Sequence, residues 1–184
     1  MKGKLHWLVV LACVVVLAFG GVISWEYLHT APLADERAIS RCIQRTYGCE
    51  VDQIHAFQED QGVAALLTTA TEEGAQSPQT VMFLLEQSWL SGRYHVTGSA
   101  TGTSPQGDYR YSDLERTITV VYGDNRKANA AAYCFAIGDR LYGQKDLGDY
   151  VLGLFVTGPS TENVSAVQWY NAAGNEMSLG GKTL

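Results

Sequence analysis

The chain has 184 residues, 46% of them hydrophobic, with 19 acidic against 13 basic side chains and a net charge of −6. That length builds one sizeable core or two small ones. An acidic chain whose lysines and arginines are scattered lacks the clustered basic surface that nucleic acid or an anionic membrane face requires, so nucleic-acid partners are excluded.

The first element is an apolar run. From Leu5 to Ser24 there is no charged residue, and only His6 and Ser24 are polar. As a helix the run spans about 30 Å, the thickness of a bilayer's hydrocarbon core. A transmembrane helix over residues 5–25 is expected, behind a cytoplasmic tail of residues 1–4. Two other leaders compete. A cleaved signal has an apolar core of only about 7 to 15 residues and small residues at its cleavage site, for which Ala18-Phe19-Gly20 is the best segment. Val10-Leu11-Ala12-Cys13 is similar to a bacterial lipobox, but Cys13 is followed by six more apolar residues where a lipidated cysteine begins a polar tether. Cys13 therefore reads as a small apolar side chain, and the length beyond it favours the anchor, with the lipid bilayer as partner.

Lys2 and Lys4 precede the run and Glu26 follows it, so the positive-inside rule places the N-terminus in the cytoplasm and residues 26–184 outside. Trp7, Trp25 and Tyr27 flank the run as interfacial aromatics do. With both leader lysines inside, eleven basic residues face nineteen acidic ones outside, a net −8. Four residues inside leave no room for an intracellular catalytic or DNA-binding part.

Residues 26–33, which include LHTAPL, read as a short stalk. From Asp35 to Tyr47, Ile39, Cys42, Ile43 and Tyr47 recur at spacings of three and four, an amphipathic helix with Arg37, Arg41 and Arg45 on its solvated side. Asp35 and Glu36 open it and Gly48 closes it. Cys42 and Cys49 flank that end and are the candidate disulfide outside the membrane; a sharp reversal at Gly48 is needed to bring their Cα atoms within about 7 Å. Cys134 reads as a buried small side chain. Four strands follow, Glu50–Glu59, Val63–Thr71, Gln79–Ser88 and Arg93–Thr101, separated by turn-rich segments such as Glu72-Glu73-Gly74 and Ser91-Gly92. Residues 34–102 are thus expected as one α+β part, an antiparallel meander with the helix across one face, burying Ile39 and Ile43 against Val63, Leu66, Val81 and Phe83. This order of a helix and then four strands is similar to cystatin-like and nuclear-transport-factor-like folds; the resemblance is of element order and implies no site.

Residues 103–113 read as a linker or long loop. Beyond them, 114–180 are expected as a small β-sandwich-like part with strands Arg116–Tyr122, Ala130–Ile137, Asp149–Thr157 and Val164–Tyr170. LGDYVLGLFV, residues 147–156, resembles a strand entry of carboxypeptidase-regulatory-like and other immunoglobulin-like sandwiches, modules that are mostly non-catalytic. With Val120-Val121-Tyr122-Gly123-Asp124-Asn125-Arg126, the anchor and the β-rich tail, the chain resembles uncharacterised single-pass proteins of Gram-positive bacteria, a resemblance that implies no activity.

Chemistry-bearing patterns are few. His55 and Glu59 sit four apart on a strand, about 13 Å from each other, which is too far for one metal ion. There is no C-x-x-C or G-x-S-x-G, and Gly180-Gly181-Lys182-Thr183 has no helix after it to bind a phosphate. Asn163-Val164-Ser165 reads as a turn. No catalytic residue, cofactor or metal is expected. Trp89, Tyr94, Tyr109 and Tyr111 cluster around turns and form the candidate binding surface, since exposed aromatics favour recognition. The expected function is a membrane-anchored extracytoplasmic binding module of the bacterial envelope, holding a protein, peptide or glycan. An envelope enzyme using His95 or Cys49 is the alternative, and an accessory subunit of a membrane complex a third reading.

Overall fold

The computed structural model describes residues 2–72, 74–75, 77–101, 106–112, 115–159 and 163–177; the Gly180–Thr183 segment lies outside them. Among the described residues the chain is β-rich, with two helices and three antiparallel sheets. Helix α1, Lys2–His29, contains the whole apolar run, and Val10–His29 is long and apolar enough to cross a membrane. The rest of the protein does not cover it: Leu11, Val16, Leu17 and Phe19 are exposed.

Helix α2, Glu36–Tyr47, forms as its pattern predicts. The Asp35 carboxylate accepts from the Ala38 N–H at 3.0 Å, satisfying an otherwise orphaned donor of the first turn. Gly48 takes φ 68°, a left-handed conformation that favours glycine, and its N–H donates to Gln44 O at 2.9 Å to close the other end. Its buried face is Ile39, Cys42 and Ile43.

Sheet 1 is the expected meander in sequence order: β1 (Cys49–Asp60), β2 (Val63–Glu72), β3 (Gln79–Gln87) and β4 (Tyr94–Thr101). Sheet 2 has the order β5-β6-β9, from Gln106–Ser112, Thr117–Asp124 and Tyr150–Thr157. Sheet 3 has the order β11-β10-β7-β8, from Glu176–Met177, Gln168–Tyr170, Ala132–Ile137 and Arg140–Lys145. These stack as four layers: α2, sheet 1, sheet 2, sheet 3.

The layers follow from alternation, because successive side chains of a strand point to opposite faces. Along β2 and β3, Ala64, Leu66, Ala70, Val81, Phe83 and Leu85 meet α2 in a first core. Their neighbours Val63, Ala65, Leu67, Met82 and Leu84 meet Ile118, Val120, Leu152, Leu154 and Val156 of sheet 2 in a second. Val121 and Val151 turn the other way, into a third core with Tyr133, Phe135, Ile137 and Trp169 of sheet 3. The two expected β-rich parts therefore share the second core. Gly153 is needed for this stacking: a Cβ there would overlap the Tyr133 hydroxyl, so glycine lets the tyrosine of sheet 3 lie against β9.

Four expectations are corrected. Residues 103–113 are not a plain linker, since Gln106–Ser112 forms β5 and pairs with β6 along its length; Gly107 and Asp108, which suggest a loop, lie in an edge strand, where weak strand formers are tolerated. Residues 26–33 are not a free stalk: α1 runs on to His29, and Ala31 pairs with Tyr94. Val63 belongs to the second core and not beneath α2, because sheet 1 is buried on both faces and a continuous apolar run does not say which. The last expected strand, Val164–Tyr170, shortens to Gln168–Tyr170, with Val164 in a single bridge to Ile137.

Candidate functional site

The junction between α1 and the layered domain is densely hydrogen-bonded. The last carbonyls of α1 have no partner within the helix, and the domain supplies several. Arg45 donates to Leu28 O at 2.9 Å, the Cys42 thiol donates to His29 O at 3.1 Å, and the Thr30 hydroxyl donates to Glu26 O at 2.7 Å. Arg93 donates through Nε to Thr30 Oγ1 and through Nη2 to Thr30 O, at 2.9 and 2.8 Å, and lies over the Tyr27 ring. Glu26 is buried, and its carboxylate accepts from Ser91 Oγ at 2.6 Å.

At the other end of the stack, sheet 3 presents an open face. On β7 the large residues Tyr133, Phe135 and Ile137 point into the third core, so Ala132, Cys134 and Ala136 point outward. Register places Leu141, Gly143 and Lys145 of β8 beside them on one side, and Gln168 and Tyr170 of β10 on the other. Small side chains between taller ones make a groove of about 760 Å³. Its floor requires glycine at 143, where a Cβ would run into the Tyr133 carbonyl and Cys134. Tyr170 donates to Gln168 Oε1 at 3.1 Å, and the Cys134 thiol contacts both Tyr170 Oη and Gln168 Oε1, at 3.6 and 3.8 Å. Leu141 is 75% exposed. Strand β8 ends the sheet, with one edge paired to β7 and the other free of strand pairing among the described residues.

The aromatic residues singled out from sequence do not form one surface. Tyr94 is buried in the first core, where its hydroxyl donates to Glu59 at 2.9 Å and burial pushes its pKa up to about 12. Tyr109 and Tyr111 line a small groove of about 250 Å³ between β5 and sheet 1. Trp89 stands alone on the β3–β4 turn, 94% exposed.

Cys42 and Cys49 are free thiols. They do not bridge, because Cys42 turns to the end of α1 while Cys49 donates to the Tyr47 carbonyl. Burial raises the pKa of both and keeps them protonated. Cys49 and His95 lie on opposite edge strands and at opposite ends of sheet 1, so the structure does not bring them together.

A different histidine has close partners. Strand β1 carries two irregularities, and His55 is the extra residue in the second, between Ile54 and Ala56. Bulges re-aim side chains: His55 stacks on Tyr150 with 3.8 Å between ring centroids, and its Nε2 lies 2.5 Å from Thr69 Oγ1. Arg126 also sits over the Tyr150 ring and pairs with Asp124. Burial, and next the Arg126 charge, lower the His55 pKa. The imidazole is occupied by a ring and a hydroxyl of its own chain, which makes this a clamp between sheets 1 and 2.

Among the described residues no group of histidine, cysteine and acidic side chains could hold a metal ion. No family model matches the chain, and searches of the curated proteins and of the solved structures return no match.

Sequence reading missed the sheet 3 groove. A signal for it was present in Ala131-Ala132-Tyr133-Cys134-Phe135-Ala136-Ile137, where small and large residues alternate; that pattern marks a strand with one packed and one bare face.

Proposed function

We propose that the chain is a membrane-anchored extracytoplasmic binding module of the cell envelope, with α1 in the bilayer and the groove of sheet 3 holding an extended segment of a partner protein. The observation that carries the binding reading is the conjunction of that groove with a free strand edge beside it. An extended peptide adds to such an edge through main-chain hydrogen bonds and places alternate side chains in adjoining pockets. Leu141 and Tyr170 supply apolar contact and Lys145 a charge at one end.

An exposed, uniformly apolar helix of this length supports the anchor, since water-soluble proteins rarely leave so large an apolar surface bare. The orientation rests on Lys2 and Lys4 before the span and Glu26 after it. The dense junction fits the same reading, because it holds the groove at a fixed attitude to the anchor.

The test is a photo-reactive side chain placed at Leu141 in the full chain in its native membrane. A discrete adduct that Tyr170→Asp abolishes is expected. No adduct at 141, or the same adducts from a probe at the exposed Phe57 on β1, would overturn the reading.

A further inference from the structure

Trp89 and Leu90 form the tip of the β3–β4 turn, and nothing among the described residues covers Trp89. The turn is tied residue by residue to the end of α1. Ala31 and Tyr94 exchange backbone hydrogen bonds at 2.7 and 2.8 Å, Arg93 holds Thr30, and Ser91 holds the Glu26 carboxylate. Each step back along the chain, from Ala31 through Thr30 to Glu26 in α1, thus meets an earlier residue of the turn. Ser88, on the far arm, donates its N–H to Arg93 O at 2.7 Å, and its hydroxyl accepts from the Leu90 N–H at 3.3 Å. The tip therefore lies beyond Glu26, alongside the part of the helix that carries the exposed Trp25 and Val22.

We infer that Trp89 and Leu90 insert into the interfacial layer of the same bilayer that α1 spans, so that the domain is docked on the lipid surface at two points. This rests on the anchor reading given above. Tryptophan is favoured at the membrane–water boundary, where its ring is apolar and its N–H is wet. Trp25, Tyr27 and Trp89 then form one aromatic belt, contributed by the helix and by the turn. Glu26, the first charge after the apolar run, lies between them, and the hydrogen bond it accepts from Ser91 partners it at that depth. The junction already fixes the domain to α1; a second contact with the lipid surface limits the tilt of the two together and fixes which face looks away from the membrane.

The experiment uses the full chain reconstituted into phosphatidylcholine–phosphatidylglycerol vesicles whose lipids are brominated near the headgroup, with tryptophan emission as the readout. Four tryptophans are present, and Trp169 is buried in the third core. If Trp7, Trp25 and Trp89 all reach the interface, Trp89→Phe removes roughly a third of the quenchable emission. Quenching that is undiminished by Trp89→Phe, while Trp25→Phe reduces it, would overturn the docking and leave the anchor standing. A chain that neither floats with the vesicles nor is quenched would overturn both.

Discussion

The two ends of the layer stack are built on opposite principles. Where α1 meets α2 and β4, the polar groups are matched and the backbone of the connecting segment is paired, so the segment expected to be a loose stalk is a splint. On the outer face of sheet 3 the side chains are small, the outer edge of β8 is free of strand pairing among the described residues, and a large leucine faces solvent. The domain immobilises one end and leaves the other uncommitted, and the proposed binding role rests on that contrast.

The contrast between the ends breaks most severely at the fastening of sheet 3. Buried Asn125 donates to Ala130 O and Gly148 O and accepts from the Ala130 N–H, each within 2.9 Å, joining the turn after β6 to the turn before β9. Asn125→Ala leaves those backbone groups without their partner and is expected to cost about 3 kcal/mol in chemical denaturation. A loss under about 1 kcal/mol would show that the outer layer does not depend on this residue. At the opposite end, Arg93→Ala deletes two hydrogen bonds to Thr30 and the contact with Tyr27. About 2 kcal/mol is expected, together with faster hydrogen exchange at Ala31 and Tyr94 and no change at β8. Exchange that rises equally in β8 would erase the distinction between the ends.

These two residues also mark how far the sequence could be read. Helix α2 was legible to its caps because Asp35, Gly48 and the three-and-four spacing of Ile39, Cys42 and Ile43 are local in origin. The meander was legible for the same reason, from turn residues between apolar runs. What was lost depends on distant contacts. That Thr30 and Ala31 pair with Arg93 and Tyr94 has no trace in LHTAPL. Arg140–Lys145 carries no alternation because it is an exposed edge, and Tyr94 looks like any other turn-side aromatic until its ring is seen in a core. Asn125 bonds across 23 residues to Gly148, a role that leaves no local pattern in Val120–Arg126.

Two smaller effects sharpen the picture of the layers between the ends. Thr119 Oγ1 is buried with no hydrogen-bond partner among the described residues, so Thr119→Val, which keeps the shape and removes the hydroxyl, is expected to gain about 1 kcal/mol in the same denaturation measurement. A loss there would mean that the hydroxyl has a partner. The His55 clamp makes stability pH-dependent. Burial and Arg126 hold its pKa below the free value of 6.5, while Asp124 acts weakly in the other direction. The unfolded chain therefore binds this proton first as pH falls. Its contribution is whole above about pH 7 and declines as pH drops through the free value toward the folded one. Melting temperatures taken across that window are expected to fall for the native chain and to stay flatter for His55→Gln; parallel curves would remove His55 from the account.

The central claim is that one end is fastened in a membrane and the other faces away from the cytoplasm. It is tested most directly by a chain carrying Leu141→Cys and Cys134→Ser, in intact cells treated with a membrane-impermeant maleimide. The thiol introduced on β8 is expected to be labelled without permeabilisation, while the protein stays in the membrane fraction through alkaline carbonate extraction. Labelling that requires cell lysis, or release of the chain by carbonate, would contradict it.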